Sequence, residues 1–188
     1  MIGQLRRGKF PQRHIERNDH IGQGWLDVCA DVSQRVEKGG ALIVLCGPRG
    51  TGKTQIVTEA ASVVCAQYPN DDMPCVYETA IGAFVGIRAA MKGDAGEEGA
   101  VKRLVLPQLL VIDDFQDRGE TEWEDRILTH VIDRRYQEPS KSTLIVTNLE
   151  PRAAADSLGP SVMDRARECG KFIECKWASF RSAARNGA

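Results

Sequence analysis

Ala41-Leu42-Ile43-Val44-Leu45-Cys46-Gly47-Pro48-Arg49-Gly50-Thr51-Gly52-Lys53-Thr54 begins as six apolar residues and ends in a glycine-rich basic turn. On its own the apolar run could be a strand or a piece of buried helix. Its shortness and its glycine flanks, with Gly39-Gly40 before it, favour a strand covered on both faces. The turn satisfies G-x-x-x-x-G-K-[ST] and stands where that pattern has a mechanism, after a buried strand and before a helix. Gly47, Gly50 and Gly52 allow backbone conformations closed to other residues, so that successive N–H groups turn inward around an anion. The helix that follows adds its positive end. Lys53 is placed to neutralise β- and γ-phosphates and the Thr54 hydroxyl to ligate Mg²⁺, with Pro48, Arg49 and Thr51 completing the cradle. The alternative, a strand-to-helix turn with no ligand, does not account for all four fixed positions. The implied ligands are ATP or ADP with Mg²⁺.

Leu109–Ile112, Thr143–Thr147, Phe172–Cys175 and the shorter Cys75-Val76-Tyr77 resemble the first apolar run. Helical spacing separates them, at Ile56, Val57, Ala60, Val63 and Val64, at Ile81, Phe84, Val85, Ile87 and Met91, and at Trp123, Ile127, Leu128 and Val131. Thr121 and Glu124 open the last of these at capping-box spacing, and Trp25 to Val36 forms an earlier helical face. Twice-buried strands alternating with amphipathic helices predict an α/β protein, a mainly parallel five-stranded sheet flanked by helices. Ligands of such sheets sit at the carboxyl ends of the strands.

The second such end reads Leu109-Leu110-Val111-Ile112-Asp113-Asp114. Beside a phosphate loop, Asp113 is expected to hold Mg²⁺ through water and Asp114 to act as the general base that polarises an attacking water. Aspartate is one methylene shorter than glutamate, so slow hydrolysis is expected.

The chain has 188 residues and a formal charge of −1, which suits one domain and gives no overall attraction to nucleic acid. Residues 1–20 read as a basic arm or linker, 21–183 as the ATPase domain and 184–188 as a tail, and Lys92 to Gly99 as a mobile loop. The six cysteines form no C-x-x-C pair and no zinc spacing, as expected of core residues in a reducing compartment. No run is long enough for a membrane helix and no secretory leader is visible, so a cytoplasmic protein is expected.

From Leu109 onward the double-acid strand end, the helix ILTHVIDRRY, the strand TLIVTNL, the segment LGPSVMDR and the closing WASFRS appear in order. With the phosphate loop they span residues 41–183. This combination resembles the AAA+ ATPase module of DnaC-type helicase loaders of bacteria and phages (DnaC, DnaI) and, secondarily, the IstB-type ATPases of transposons. The resemblance implies an AAA+ sheet in which the strand ending at Thr147-Asn148 is inserted between the strands ending at Cys46 and Asp113. It implies that Asn148 is a sensor beside the γ-phosphate. Arg165 is implied to be a finger completing a neighbouring subunit's site, and hence to mediate self-association in the ATP state. Arg134 and Arg135 are placed near the same boundary, and Arg181 near the nucleotide. No C-terminal lid domain is expected.

Loaders of this type often carry an N-terminal helicase-binding domain, whereas only about 40 residues precede the first strand here, which leaves the basic arm or another chain to make that contact. In such loaders the segment after the second strand helps contact single-stranded DNA, here Ala80 to Arg103 with Arg88, Lys92, Lys102 and Arg103. The implied partners are a replicative DNA helicase and single-stranded DNA. The implied activity is slow ATP hydrolysis coupled to loading or remodelling that helicase. Two alternatives stay open: an IstB-like transposition ATPase on duplex DNA, and a nucleotide-bound adaptor or inhibitor of a helicase with little hydrolysis.

Overall fold

Helix α1 (Gln23–Lys38) stops at Gly39 and Gly40, both with positive φ, and these release the chain into strand β1 (Leu42–Cys46). The computed structural model describes residues 22–91 and 96–180; the expected basic arm, Lys92, Arg181 and the tail lie outside them. The phosphate-loop turn leads into α2 (Lys53–Gln67). Then come β2 (Cys75–Thr79), α3 (Ala80–Ala90) and α4 (Gly96–Val105). Next are β3 (Leu109–Asp113), a 3₁₀ turn (Phe115–Asp117) and α5 (Glu122–Tyr136). The described chain closes with β4 (Ser142–Val146), α6 (Pro151–Cys169) and β5 (Lys171–Glu174). Among the described residues no helical lid follows β5.

The strands form one sheet in the order β2-β3-β4-β1-β5, with every pairing parallel. As expected, β4 is inserted between β1 and β3. Residues of β1 alternate between two cores. Leu42 and Val44 pack with α3 to α6, and Ile43 and Leu45 with α1 and α2. Every residue of β1, β3 and β4 is buried, and each such aliphatic side chain stabilises the fold by about 1.5–3 kcal/mol. Parity also aims the acid. Leu109 and Val111 face α2, so Asp113 projects on the same side, toward the phosphate-loop helix.

Three expectations need correction. The segment read as a mobile loop is helical from Gly96: Glu97 and Glu98 form the first turn of α4, where the helix dipole favours them, and Ala100, Val101, Leu104 and Val105 are buried. In α3 the buried stripe is Ala80, Ala83, Phe84 and Ile87, and Ile81, Val85 and Met91 are exposed. The Thr79 side chain caps α3 directly at the end of β2, which fixes the helix's rotation and turns Phe84 edge-on to Trp123.

The third correction is Arg135, which is 1% exposed and cannot lie at a subunit boundary. Its guanidinium donates to the carbonyls of Leu104, Val105, Pro107, Gln108 and Ser142 and to the Thr143 hydroxyl. It thereby satisfies two carbonyls at the end of α4 and joins the entries of β3 and β4, at the edge of the sheet opposite the acids. Arg134 is exposed. The Thr121 hydroxyl accepts from Glu124 N–H at 3.3 Å, one half of the expected capping box.

Candidate functional site

The loop between β1 and α2 has φ of +112° at Gly47, +84° at Gly50 and +77° at Gly52, the left-handed region that side chains disfavour. Space reinforces the requirement, because a Cβ on Gly52 would lie 2.8 Å from Trp25 Nε1 and 3.0 Å from the Phe180 ring. These residues clasp the loop from outside. Trp177 Nε1 donates to Thr51 O at 2.7 Å, Phe180 N–H to Gly50 O at 2.9 Å, and Trp25 Nε1 to Gly52 O at 3.4 Å. Sequence reasoning took WASFRS as a family marker and missed this support.

Lys53 is buried, with Nζ donating to Gly47 O and Pro48 O at 2.7 Å each. Burial lowers its pKa, opposed in part by the nearby Asp113 and Asp114. A desolvated ammonium on flexible carbons gains from a polyanion at this position. Pro48 and Arg49 are exposed on the loop's rim.

Asp113 meets Thr54 as expected, with the Thr54 hydroxyl donating to Asp113 Oδ2 at 3.1 Å. The Tyr77 hydroxyl, which sequence reasoning missed, donates to the same oxygen at 2.5 Å, and Asp114 N–H donates to Oδ1 at 2.7 Å. Burial pushes the Asp113 carboxyl up against these three hydrogen bonds, and burial and the carboxylate push the Tyr77 phenol up. One carboxylate and one hydroxyl beside a phosphate cradle fit Mg²⁺, which keeps several waters and takes its remaining oxygens from phosphates. Among the described residues no cluster of three or more His, Cys, Asp or Glu offers an all-protein cage.

Asp114 sits at φ 48°, ψ 46°, a left-handed conformation that costs a non-glycine residue free energy and turns the chain sharply after β3. Its Oδ1 lies 3.5 Å from Asn148 Nδ2 and 3.3 Å from Gln116 Nε2. The structure thus brings the expected base and sensor together. Gln116, a second residue missed from sequence, joins them.

Arg165 keeps other company. It lies on α6 beyond a kink at Gly159-Pro160, 2.7 Å from Asp133 on α5, with Nη1 donating to Ser161 O at 2.8 Å and the guanidinium over the Tyr136 ring. These contacts do not join it to Lys53, Asp113 or Asp114. The cations expected near DNA are likewise engaged: Arg88 stacks on Trp123, Lys102 pairs with Glu98 and Arg103 with Glu78.

A phosphate loop after β1, an acid pair after β3 and Asn148 after an inserted β4 define the fold of an AAA+ P-loop NTPase. Residues 42–164 match the family described as AAA domain (dynein-related subfamily), and the chain belongs to that family.

Within that class the chain is similar to the replicative helicase loader DnaC of Escherichia coli (strain K12), with 27% identity over 169 residues covering 85% of this chain and 65% of DnaC. Its fold superposes on the crystal structure of the DnaC helicase loader with a TM-score of 0.62 at 19% identity, covering 93% of this chain and 99% of that one. It also superposes on AMPPCP-bound DnaA from Aquifex aeolicus with a TM-score of 0.64 at 21% identity, covering 82% of this chain and 47% of that one. The DnaC-type resemblance carried by residues 41–183 agrees with these relatives. The chain spans 56–68% of the length of the curated relatives it matches. No helix among the described residues is long and apolar enough to cross a membrane.

Proposed function

We propose that this chain binds ATP with Mg²⁺, hydrolyses it slowly, and uses the cycle to load or remodel a replicative DNA helicase on single-stranded DNA. The observation that carries the reading is the meeting, at the carboxyl edge of the sheet, of Lys53 and Thr54 from α2, Asp113 and Asp114 at the end of β3, and Asn148 just beyond β4. The similarity to DnaC supplies the partner class.

The backbone from Gly47 to Thr54 holds the phosphates and Lys53 moves from its two carbonyls onto the β- and γ-phosphates. Thr54 and Asp113 hold Mg²⁺, which when bound supplies charge neutralisation at the phosphates. Asp114 accepts a proton from the attacking water and Asn148 orients that water. Arg165 leaves Asp133 for the site of a neighbouring subunit, which makes turnover depend on assembly. Contacts to DNA backbone come from the α3–α4 region after its cations exchange Glu78, Glu98 and Glu124 for phosphates.

The test is ATP turnover and helicase co-purification with and without single-stranded DNA. Helicase-stimulated turnover is expected, and no association with helicase in any nucleotide state would overturn the loader reading. Filaments on duplex DNA would instead indicate the IstB-like function. The short Asp114, already engaged at Oδ1, favours one second reading, a nucleotide-held adaptor. Asp114→Asn separates the two, since an adaptor keeps its effect on the helicase and a hydrolysis-driven loader stalls.

A further inference from the structure

Gln116 sits in the 3₁₀ turn after β3, between Phe115, which is fully buried, and Arg118, whose guanidinium lies 4.9 Å from the Phe115 ring centre and pairs with Asp125 and Ser157 O. The turn is therefore pinned on both flanks. The amide side chain has one accepting and one donating end. Its Oε1 accepts Asn148 N–H at 2.9 Å and the Thr147 hydroxyl at 3.2 Å. Thr147 Oγ1 itself accepts Leu149 N–H, so its proton goes to Gln116. Two donors on the β4 side fix the amide's orientation, and Nε2 must face Asp114, where it donates to Oδ1 at 3.3 Å.

We infer that Gln116 is a positioning residue for hydrolysis, an amide strut that measures the gap between β4 and β3 and holds the Asp114 carboxylate in register with Asn148. The inference rests on the ATPase reading above. It answers a specific need, because Asp114 leaves β3 in a left-handed conformation on a short side chain, and its contact to Asn148, at 3.5 Å, is longer than the 3.3 Å hydrogen bond from Gln116. Among the described residues Asp114 Oδ2 takes no hydrogen bond, so the strut holds one oxygen and leaves the other to receive a proton. A general base displaced by about 1 Å loses up to about 100-fold in rate.

Two variants of the full chain separate strut from tie. Gln116→Glu retains an acceptor for Asn148 and Thr147 but replaces the donor facing Asp114 with a carboxylate oxygen, and Gln116→Ala removes both ends. Steady-state kcat and KM, equilibrium ATP affinity and the thermal midpoint are measured for each. Both variants are expected to lose about 10- to 100-fold in kcat while ATP affinity stays within about threefold. Gln116→Glu turning over like the unaltered chain, or either variant losing affinity and kcat in parallel, overturns the inference and leaves the ATPase reading standing. An unaltered chain that binds ATP yet turns none over, with DNA and helicase present, overturns that reading and this inference together. Should Gln116→Ala fail to fold, Gln116→Glu alone decides.

Discussion

Lys53 and Arg135 are both buried cations resting on backbone carbonyls, yet they occupy opposite edges of the sheet and are built for opposite purposes. Lys53 is a point charge on a flexible stem with two carbonyl partners at 2.7 Å, an arrangement that phosphate oxygens can replace. Arg135 spreads a rigid fork over five carbonyls and a hydroxyl, and no ligand offers as much. Burial of a charge therefore does not by itself mark a site; what matters is whether its partners can be exchanged.

Removing the Arg135 fork should weaken the molecule more than any other single change considered below. Arg135→Ala takes the guanidinium from five buried carbonyls, of which Gln108 O still accepts Ser142 N–H, and is expected to destabilise the fold by about 3–5 kcal/mol, read as a drop in the urea midpoint. A midpoint within experimental error of the unaltered chain would mean that Arg135 is not the clamp described.

Arg165 sits between the two cases, half-buried and paired with Asp133. Arg165→Ala is expected to change stability by less than about 1 kcal/mol, while ATP-dependent assembly, measured by light scattering, disappears. Loss of stability without loss of assembly would assign it to the Arg135 class.

At Tyr77 only a few-fold effect on binding is expected. Tyr77→Phe removes one hydrogen bond to Asp113, worth about 0.5–1.5 kcal/mol, and the Mg²⁺ concentration for half-maximal ATP binding should shift a few-fold. No shift would leave Tyr77 as packing only.

The β1-loop-α2 unit was legible because its determinants are contiguous: a strand, three glycines, Lys53 and Thr54 follow one another. Asp113 was legible from the strand that carries it, and the insertion of β4 from the family resemblance. Gln116 and Tyr77 were not, since their meaning depends on which strands lie side by side, and a lone glutamine or tyrosine carries no local pattern. Helix α4 was hidden because its first turn, Gly96 to Gly99, reads as a loop and its apolar residues begin only at Ala100. Arg135 had a signal that was overlooked. Ile127, Leu128, Val131 and Ile132 are buried, and steps of three and four residues carry that stripe to Arg135 and past Arg134. The exposed Ile81 and Val85 fooled the periodicity in the opposite sense, because alanines took the buried positions beside them.

Whether the loop from Gly47 to Thr54 holds a nucleotide is decided by calorimetric titration of ATP into the unaltered chain and into Lys53→Ala, with and without Mg²⁺. The unaltered chain should bind below millimolar concentration and more tightly with Mg²⁺, and Lys53→Ala should weaken binding about 100-fold, a loss of about 2.7 kcal/mol. Equal binding by the two proteins, or none by the unaltered chain at millimolar ATP, would contradict nucleotide binding by this loop.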